Sequence, residues 1–255
     1  MTDSIMQSRK ALERVLAVAV ALLLWQAAAM LLSQDFLLAS PVAVIRRLII
    51  MLGSGATYGR IWYTFYHIAG GFLLGLLAGV VLAIPAARFR AFETVLWPYM
   101  ITVKSVPVVS FIILSYLFLS SSALPVFISF LIVLPVIYNN ILNGIKNTDP
   151  KMTEMAQVFS LPWRRRILYI TLPQIKPFLI SGCQTAIGLA FKSGVAAEVI
   201  AIVKNTIGEQ LYTSKLYFES DKLLAWTLII VLMSVLFERL FVGLINKFFA
   251  GLERL

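Results

Sequence analysis

The sequence predicts an all-α, polytopic membrane protein with six transmembrane helices, and three observations lead there. Of 255 residues, 60% are hydrophobic and only 13% charged, with a mean hydropathy of +0.89, whereas soluble domains carry about 25% charged residues. The apolar residues fall in runs long enough for the bilayer core, which takes about 20 helical residues to cross. No long linker separates these runs, so residues 15–255 read as a single transmembrane domain behind a short leader, 1–14.

That leader is polar, carries Arg9, Lys10 and Arg14, and is expected in the cytoplasm. Val15 to Leu32 forms the first span, interrupted only by Gln26. A cleaved signal peptide ending near Ala27-Ala28-Ala29 competes with this reading. A retained anchor is favoured because the run exceeds the roughly 7–15 residues of a signal core. Ser40-Pro41 opens an amphipathic helix over 40–53, with Arg46 and Arg47 pointing away from its apolar face. Val42, Ile45, Ile49 and Leu52 share one face of it, which suits a helix lying on the outer membrane surface.

The second span covers Tyr66–Ala87, where Gly71, Gly75 and Gly79 recur every fourth residue and mark a close-packing face. A cytoplasmic loop, Arg88–Glu93, follows. Ser105 to Ile145 holds no charge, too long for one span and suited to two. Ser120-Ser121-Ser122 with Pro125 supplies the turn. The spans are then Val95–Leu119, kinked at Pro107, and Leu124–Ile145. The fifth span is Lys176–Ile202, with a second small-residue seam at Gly182, Ala186, Ala190 and Gly194. Val203–Lys222 reads as a mixed polar loop, and Leu223–Phe248 is the sixth span.

Between spans four and five lies a polar, basic interruption, Asp149 to Pro173. Asp149-Pro150 is a helix start, and Met152, Met155, Ala156 and Phe159 fall at i, i+3, i+4 and i+7, giving a short helix an apolar stripe. Ser160-Leu161-Pro162 breaks the pattern. A second helix starts at Pro162 and runs through Arg164-Arg165-Arg166 to Leu172, with Pro173 and Pro177 marking the return to the membrane. Two short helices, too charged to span and too apolar for a plain loop, predict a docking surface for another protein.

Basic residues give the orientation. With the amino terminus inside, the inner segments, Arg254 included, hold fourteen Lys and Arg and the outer ones six, leaving Lys104 and Lys192 within spans. This bias predicts both termini and the Asp149–Pro173 loop in the cytoplasm. The excess of 22 Lys and Arg over 12 Asp and Glu reflects those loops and lipid headgroups, not nucleic acid. A single cysteine, Cys183, leaves no intrachain disulfide, and one histidine, His67, gives little basis for a metal site; His67 is expected to be a packing residue. No phosphate-binding G-x-x-x-x-G-K-[ST], G-x-S-x-G or H-E-x-x-H occurs. The chain therefore reads as no enzyme, without a cofactor of its own, and must take its energy from elsewhere.

Charged groups inside a span are expensive, roughly 2.5–3.5 kcal/mol each on insertion scales, and mark functional sites by default. Lys104, Lys192 and Glu198 are such groups, and with the Asn139-Asn140 amides they are the candidates for a translocation path. Lys192 and Glu198 stand six residues apart, about 120° round a helix, so they do not face each other. Glu238-Arg239 is expected to form a structural pair.

The residues Glu154-Met155-Ala156, Ser160 and Ile170-Thr171-Leu172-Pro173 resemble the EAA signature of ABC-importer permeases, E-A-A, three residues, G, nine residues, I-x-L-P. Met155 replaces the first alanine and Ser160 the glycine. A left-handed turn costs a non-glycine residue roughly 1–2 kcal/mol, so the turn here is expected to be differently shaped. Ser40-Pro41, Lys104-Ser105-Val106-Pro107, Leu134-Pro135 and Ala196-Ala197-Glu198-Val199 with Gly208 extend the likeness to the nitrate, sulfonate, taurine and bicarbonate permeases, a group that includes importers of vitamin precursors.

The resemblance implies a type I ABC importer (MetI-like) transmembrane domain. It also implies a permease homodimer with the path at its interface, two ABC ATPase subunits below and a solute-binding protein above. Glu154, Met155, Ala156, Phe159, Ser160, Ile170, Leu172 and Pro173 take the ATPase-coupling positions, and Glu198 becomes the intramembrane acid. An ion-coupled secondary transporter using Lys192 and Glu198 is the competing class; inverted repeats would favour it.

Overall fold

Every regular element among the described residues, 2–32 and 38–252 of this computed structural model, is helical. Arg254 and the side chains of Arg9, Lys10 and Arg14 lie outside the description. In order, the helices are α1 (Thr2–Leu32), α2 (Pro41–Leu52), α3 (Gly55–Arg88), α4 (Arg90–Ser105), α5 (Val108–Tyr116), α6 (Leu124–Lys146) and α7 (Pro150–Val158). Then come α8 (Trp163–Arg166), a π-helical turn (Ile167–Thr171), α9 (Leu172–Ala201), α10 (Ile207–Leu216) and α11 (Ser220–Leu252). The contacts gather into two units, one of residues 1–59 with 210–229, the other of 60–209 with 230–255.

Among the described residues the span count falls short of the expected six. Four are long and apolar enough to cross a membrane: Gly55–Arg88, Leu124–Lys146, Trp163–Ala201 and Ser220–Gly251. The expected Val95–Leu119 span is a broken pair, because α4 and α5 meet at 99°. Pro107 does more than kink: Val106 and Pro107 both leave the helical region, with ψ of 135° and 130°, as a proline imposes on the residue before it. Lys104 therefore sits at the end of α4. The first expected span falls on the apolar Leu16–Leu31 stretch of α1, which is shorter than the others, and the leader is its helical continuation from Thr2.

In the first unit, the Ser40 hydroxyl accepts from Ala43 N at 3.3 Å, starting α2 where the sequence placed it. Val42, Ile45, Ile49 and Leu52 are exposed, as the amphipathic face requires. On its polar side Arg47 reaches Glu219 at 3.3 Å and Asp221 at 3.1 Å.

The second unit is organised around α6, against which both glycine seams pack. A Cβ added at Gly71 would lie 2.3 Å from the Val126 carbonyl oxygen, at Gly75 2.8 Å from Val133 Cβ, and at Gly79 2.9 Å from Ile137 Cβ. From α9, Gly182 meets Asn140 and Gly194 meets Ser129 and Ile68 at similar range. Backbones brought this close gain dispersion that larger side chains would block. At one end of α6, Leu124 and Ile128 join Ile112, Ala197, Ala201 and Val203 in a buried cluster. At the other, Lys146 Nζ contacts both Glu93 oxygens at 2.6 Å and ties α4 to α6.

Two further expectations fail. The segment after α9 is not simply a loop but contains α10. The helix beginning at Trp163 does not stop at Pro173: α8, the π turn and α9 form one run to Ala201. The wide turn, in which the Leu172 amide reaches the Ile167 carbonyl, immediately precedes Pro173 and gives the chain an extra residue with which to pass the missing donor.

Candidate functional site

The Asp149–Pro173 segment begins where α6 ends. Asp149 Oδ1 accepts from Lys151 N at 2.9 Å, and Asp149 N donates to Gln174 Oε1 at 2.7 Å, so one residue both starts α7 and ties it to α9. At the far end of α7, Leu161 N donates to Ala156 O and Ser160 N to Gln157 O, each at 2.9 Å. This paired closure is a Schellman turn, whose left-handed position usually holds glycine. Ser160 occupies it with φ 49°, so the left-handed turn survives the loss of glycine, against expectation. Ser160→Gly should then leave the loop's shape unchanged and stabilise it by about 1 kcal/mol, read as slower proteolysis of the loop.

The turn sets what α7 presents. Ala156 lies beneath it, 2% exposed, whereas Met155, Val158 and Phe159 are 43%, 81% and 71% exposed. The stripe read from the sequence is thus split, with the alanine inside and the large apolar groups outside. Glu154 and Trp163 are exposed beside them, Ile170 is buried, and Leu172 and Pro173 are half-buried. Met155, Val158 and Phe159 thus form an exposed apolar group on a polar segment.

The intramembrane candidates separate into three settings. Glu198 is fully buried. Its Oε2 accepts from Thr64 Oγ1 and Gly208 N, both at 3.0 Å, and Thr64 Oγ1 in turn accepts from Ile207 N at 3.0 Å. The carboxylate thus stands at the amino end of α10, where a helix favours negative charge. Gly208 is required by that approach, since a Cβ there would lie 2.2 Å from Glu198 Cβ. Thr206 caps the same helix, accepting from Glu209 N at 3.1 Å.

Lys192 and Lys104 are exposed and do not join Glu198. Lys192 continues a line on α9 formed with Ser181, Thr185 and Gly188, all exposed, opposite the buried seam of Gly182, Ala186, Ala190 and Gly194. Sequence reasoning missed this polar line, although its i, i+4, i+7, i+11 spacing was there to find. Beside it, Gln184 Nε2 donates to Glu238 Oε1 at 3.0 Å. Glu238 thus takes a partner on another helix, and no pair with Arg239 forms among the described residues.

Asn139 and Asn140 are committed locally, donating to the Pro135 and Val136 carbonyls at 2.5 and 2.8 Å. Asn140 also packs against Gly182 inside the α6–α9 contact. His67 serves packing, with Nδ1 2.8 Å from the Tyr63 carbonyl and its ring stacked on Tyr63 at 4.1 Å. Among the described residues no group of His, Cys, Asp and Glu could hold a metal.

Comparison with known proteins agrees with this architecture. Residues 71–249 match the family described as binding-protein-dependent transport system inner membrane component. The chain is 27% identical over 213 residues to a putative aliphatic sulfonates transport permease protein of Bacillus subtilis, covering 82% of this chain and 76% of the relative. It is 27% identical over 203 residues to the nitrate import permease protein of Leptolyngbya laminosa, covering 75% and 71%. To a formylaminopyrimidine transport permease protein of Halalkalibacterium halodurans it is 23% identical over 197 residues, covering 75% and 77%. A crystal structure of an amino acid ABC transporter with histidines superposes with a TM-score of 0.52 at 16% identity, over 82% of this chain and 94% of that one, a likeness of fold. The matched span includes both glycine seams, the Asp149–Pro173 loop and the Glu198–Gly208 contact, and the chain belongs to the binding-protein-dependent transport system inner membrane component family, as a multi-pass ABC importer permease.

Proposed function

We propose that this permease forms a homodimer that passes a small solute inward by alternating access, driven by ATP hydrolysis on two separate ATPase subunits. The observation carrying this reading is the exposed Met155, Val158 and Phe159 group, fixed on α7 by the Asp149 cap and the Ser160 turn. It offers a partner a firm apolar contact, with Glu154 beside it. Closure of the ATPase pair would draw the two α7 helices together, and α6 and α9, joined to α7 at either side, would carry that motion into the spans. Both termini and this loop face the cytoplasm, as the basic-residue bias supports, and a solute-binding protein delivers the solute outside.

Within the dimer, the Ser181, Thr185, Gly188 and Lys192 line of α9 faces the path. Hydroxyls and an ammonium group suit an oxyanion, and the sulfonate and nitrate permeases among the relatives support a solute of that kind; the formylaminopyrimidine permease supports a vitamin precursor instead. The test is reconstitution of the chain with its ATPase and binding protein in liposomes. Uptake is expected to require internal ATP and to persist when ion gradients are collapsed; uptake driven by a gradient without ATP would establish the ion-coupled alternative. In the same assay Lys192→Gln should raise the KM for an anionic solute about tenfold, the loss of one charge contact worth about 1.4 kcal/mol, with assembly unchanged. An unaltered KM would remove Lys192 from the path.

A further inference from the structure

A cavity of about 570 Å³ opens where α3 ends and α4 begins, at the α7 end of the second unit. Its lining includes Arg88, Arg90, Glu93, Thr94, Trp97 and Lys146, three cations against one carboxylate. Lys146 and Glu93 are occupied with each other through two 2.6 Å contacts. That leaves the guanidinium groups of Arg88 and Arg90 without an acceptor among the described residues. Phe89, the single extended residue between the two helices, with φ −121° and ψ 108°, sets one arginine on either side of the break. The amino end of α4 also has no side-chain cap, so its unpaired N–H groups add positive potential to the same opening.

These features together describe an anion site built for a particular depth. The polar ends of α3, α4 and α6 meet here, at the boundary of spans that cross the membrane, and Trp97 is 62% exposed two turns along α4, the position an interfacial indole takes at headgroup level. Ile84, exposed at 58%, stands one turn before Arg88 and lines a neighbouring apolar cavity with Ile141, Ile145 and Leu172, which shares Ala87 and Arg88 with the first. Arginine forks match phosphate oxygens two at a time, and basic pockets between spans on the cytoplasmic side hold acidic headgroups. We propose that Arg88 and Arg90 bind the phosphate of an anionic phospholipid, whose chains enter the adjoining apolar cavity beside Ile84. A soluble phosphate shares the headgroup chemistry but has nothing to place in that apolar cavity.

Native mass spectrometry of the delipidated protein, titrated with phosphatidylglycerol or phosphatidylcholine, tests this. The wild type is expected to take its first phosphatidylglycerol about tenfold more tightly than phosphatidylcholine, and Arg88→Gln/Arg90→Gln to lose that preference. Arg164→Gln/Arg165→Gln, which removes as much charge from the Asp149–Pro173 segment, should keep it. Equal binding of both lipids by the wild type, or equal loss in the two double variants, would overturn the site. Displacement of the bound lipid by millimolar inorganic phosphate would overturn the lipid assignment and give the cavity to a soluble phosphate. If the first double variant is not recovered folded, Arg90→Gln alone decides: it should cut the preference several-fold, and an unchanged preference counts against the proposal.

Discussion

Ala156→Asp is expected to reduce ATP-driven uptake at least 100-fold while the protein still inserts in the membrane. The residue is 2% exposed beneath the Schellman turn, and its carbonyl receives the Leu161 amide that closes the turn. An unpaired carboxylate has no partner there and costs several kcal/mol to bury, so α7 relieves it by unwinding or tipping out. Either movement withdraws Met155 and Phe159 from the position in which a partner would meet them. The spans do not depend on α7, which stands outside the membrane-crossing helices, and the amount of protein in membranes should remain near the wild-type level. Glu154→Arg is the companion change: it leaves the exposed helix folded and reverses one charge beside the apolar group. ATPase activity of the assembled complex and uptake should fall together in both variants. Wild-type uptake with Ala156→Asp in place would show that α7 transmits nothing.

The features legible in the sequence are those written within one helix turn or one helix face. Ser40-Pro41 and Asp149-Pro150 mark their helix starts because a cap and the N–H groups that donate to it are neighbours in the chain. The Gly71, Gly75, Gly79 seam was visible because helical spacing alone puts it on one side. What stayed hidden depends on choices that local chemistry leaves open. Proline can begin a helix, bend one or separate two: Pro173 and Pro177 lie inside a continuous run, whereas Pro107 lies at a 99° break. A wide helical turn precedes Pro173, whereas Pro177, like Pro85, Pro98 and Pro135, sits inside a helix without one, and nothing in the residue pattern announces which outcome a proline takes. Ser160 stands where the resembling motif has glycine, and the two backbone bonds closing its turn hold φ at 49°, offsetting a cost of about 1–2 kcal/mol.

Glu198 illustrates the remaining gap. Its sequence marks an acid in a span, and cost considerations point such a group toward a path. Its partners are Thr64, 134 residues earlier in the chain, and the Gly208 amide, a combination no periodicity contains. Lys192, only six residues away on the same helix, faces the opposite environment. One default rule gave both residues the same role, and three-dimensional placement separates them.

That separation yields the second large effect. Gly208→Val should be the most disruptive substitution in the Glu198 node, because a Cβ at Gly208 would lie 2.2 Å from Glu198 Cβ and 2.8 Å from Val199 N, the latter in the backbone. The first turn of α10 must then move off α9, losing the Gly208 hydrogen bond as well as the packing, for a combined cost of about 3 kcal/mol or more. Glu198→Ala removes the acceptor but leaves space, stranding the Thr64 hydroxyl and the Gly208 amide at about 1–3 kcal/mol for each unsatisfied group. Glu198→Gln keeps an oxygen for both donors and gives up chiefly the charge at the α10 amino end, worth about 0.3–1 kcal/mol. Thermal unfolding in nanodiscs should therefore rank the variants Gly208→Val, Glu198→Ala, Glu198→Gln from least to most stable, with uptake following the same order. A different pattern would identify a different role: if Glu198→Gln unfolded like the wild type yet carried no solute, the carboxylate's charge, and not its place between α3, α9 and α10, would be what transport needs.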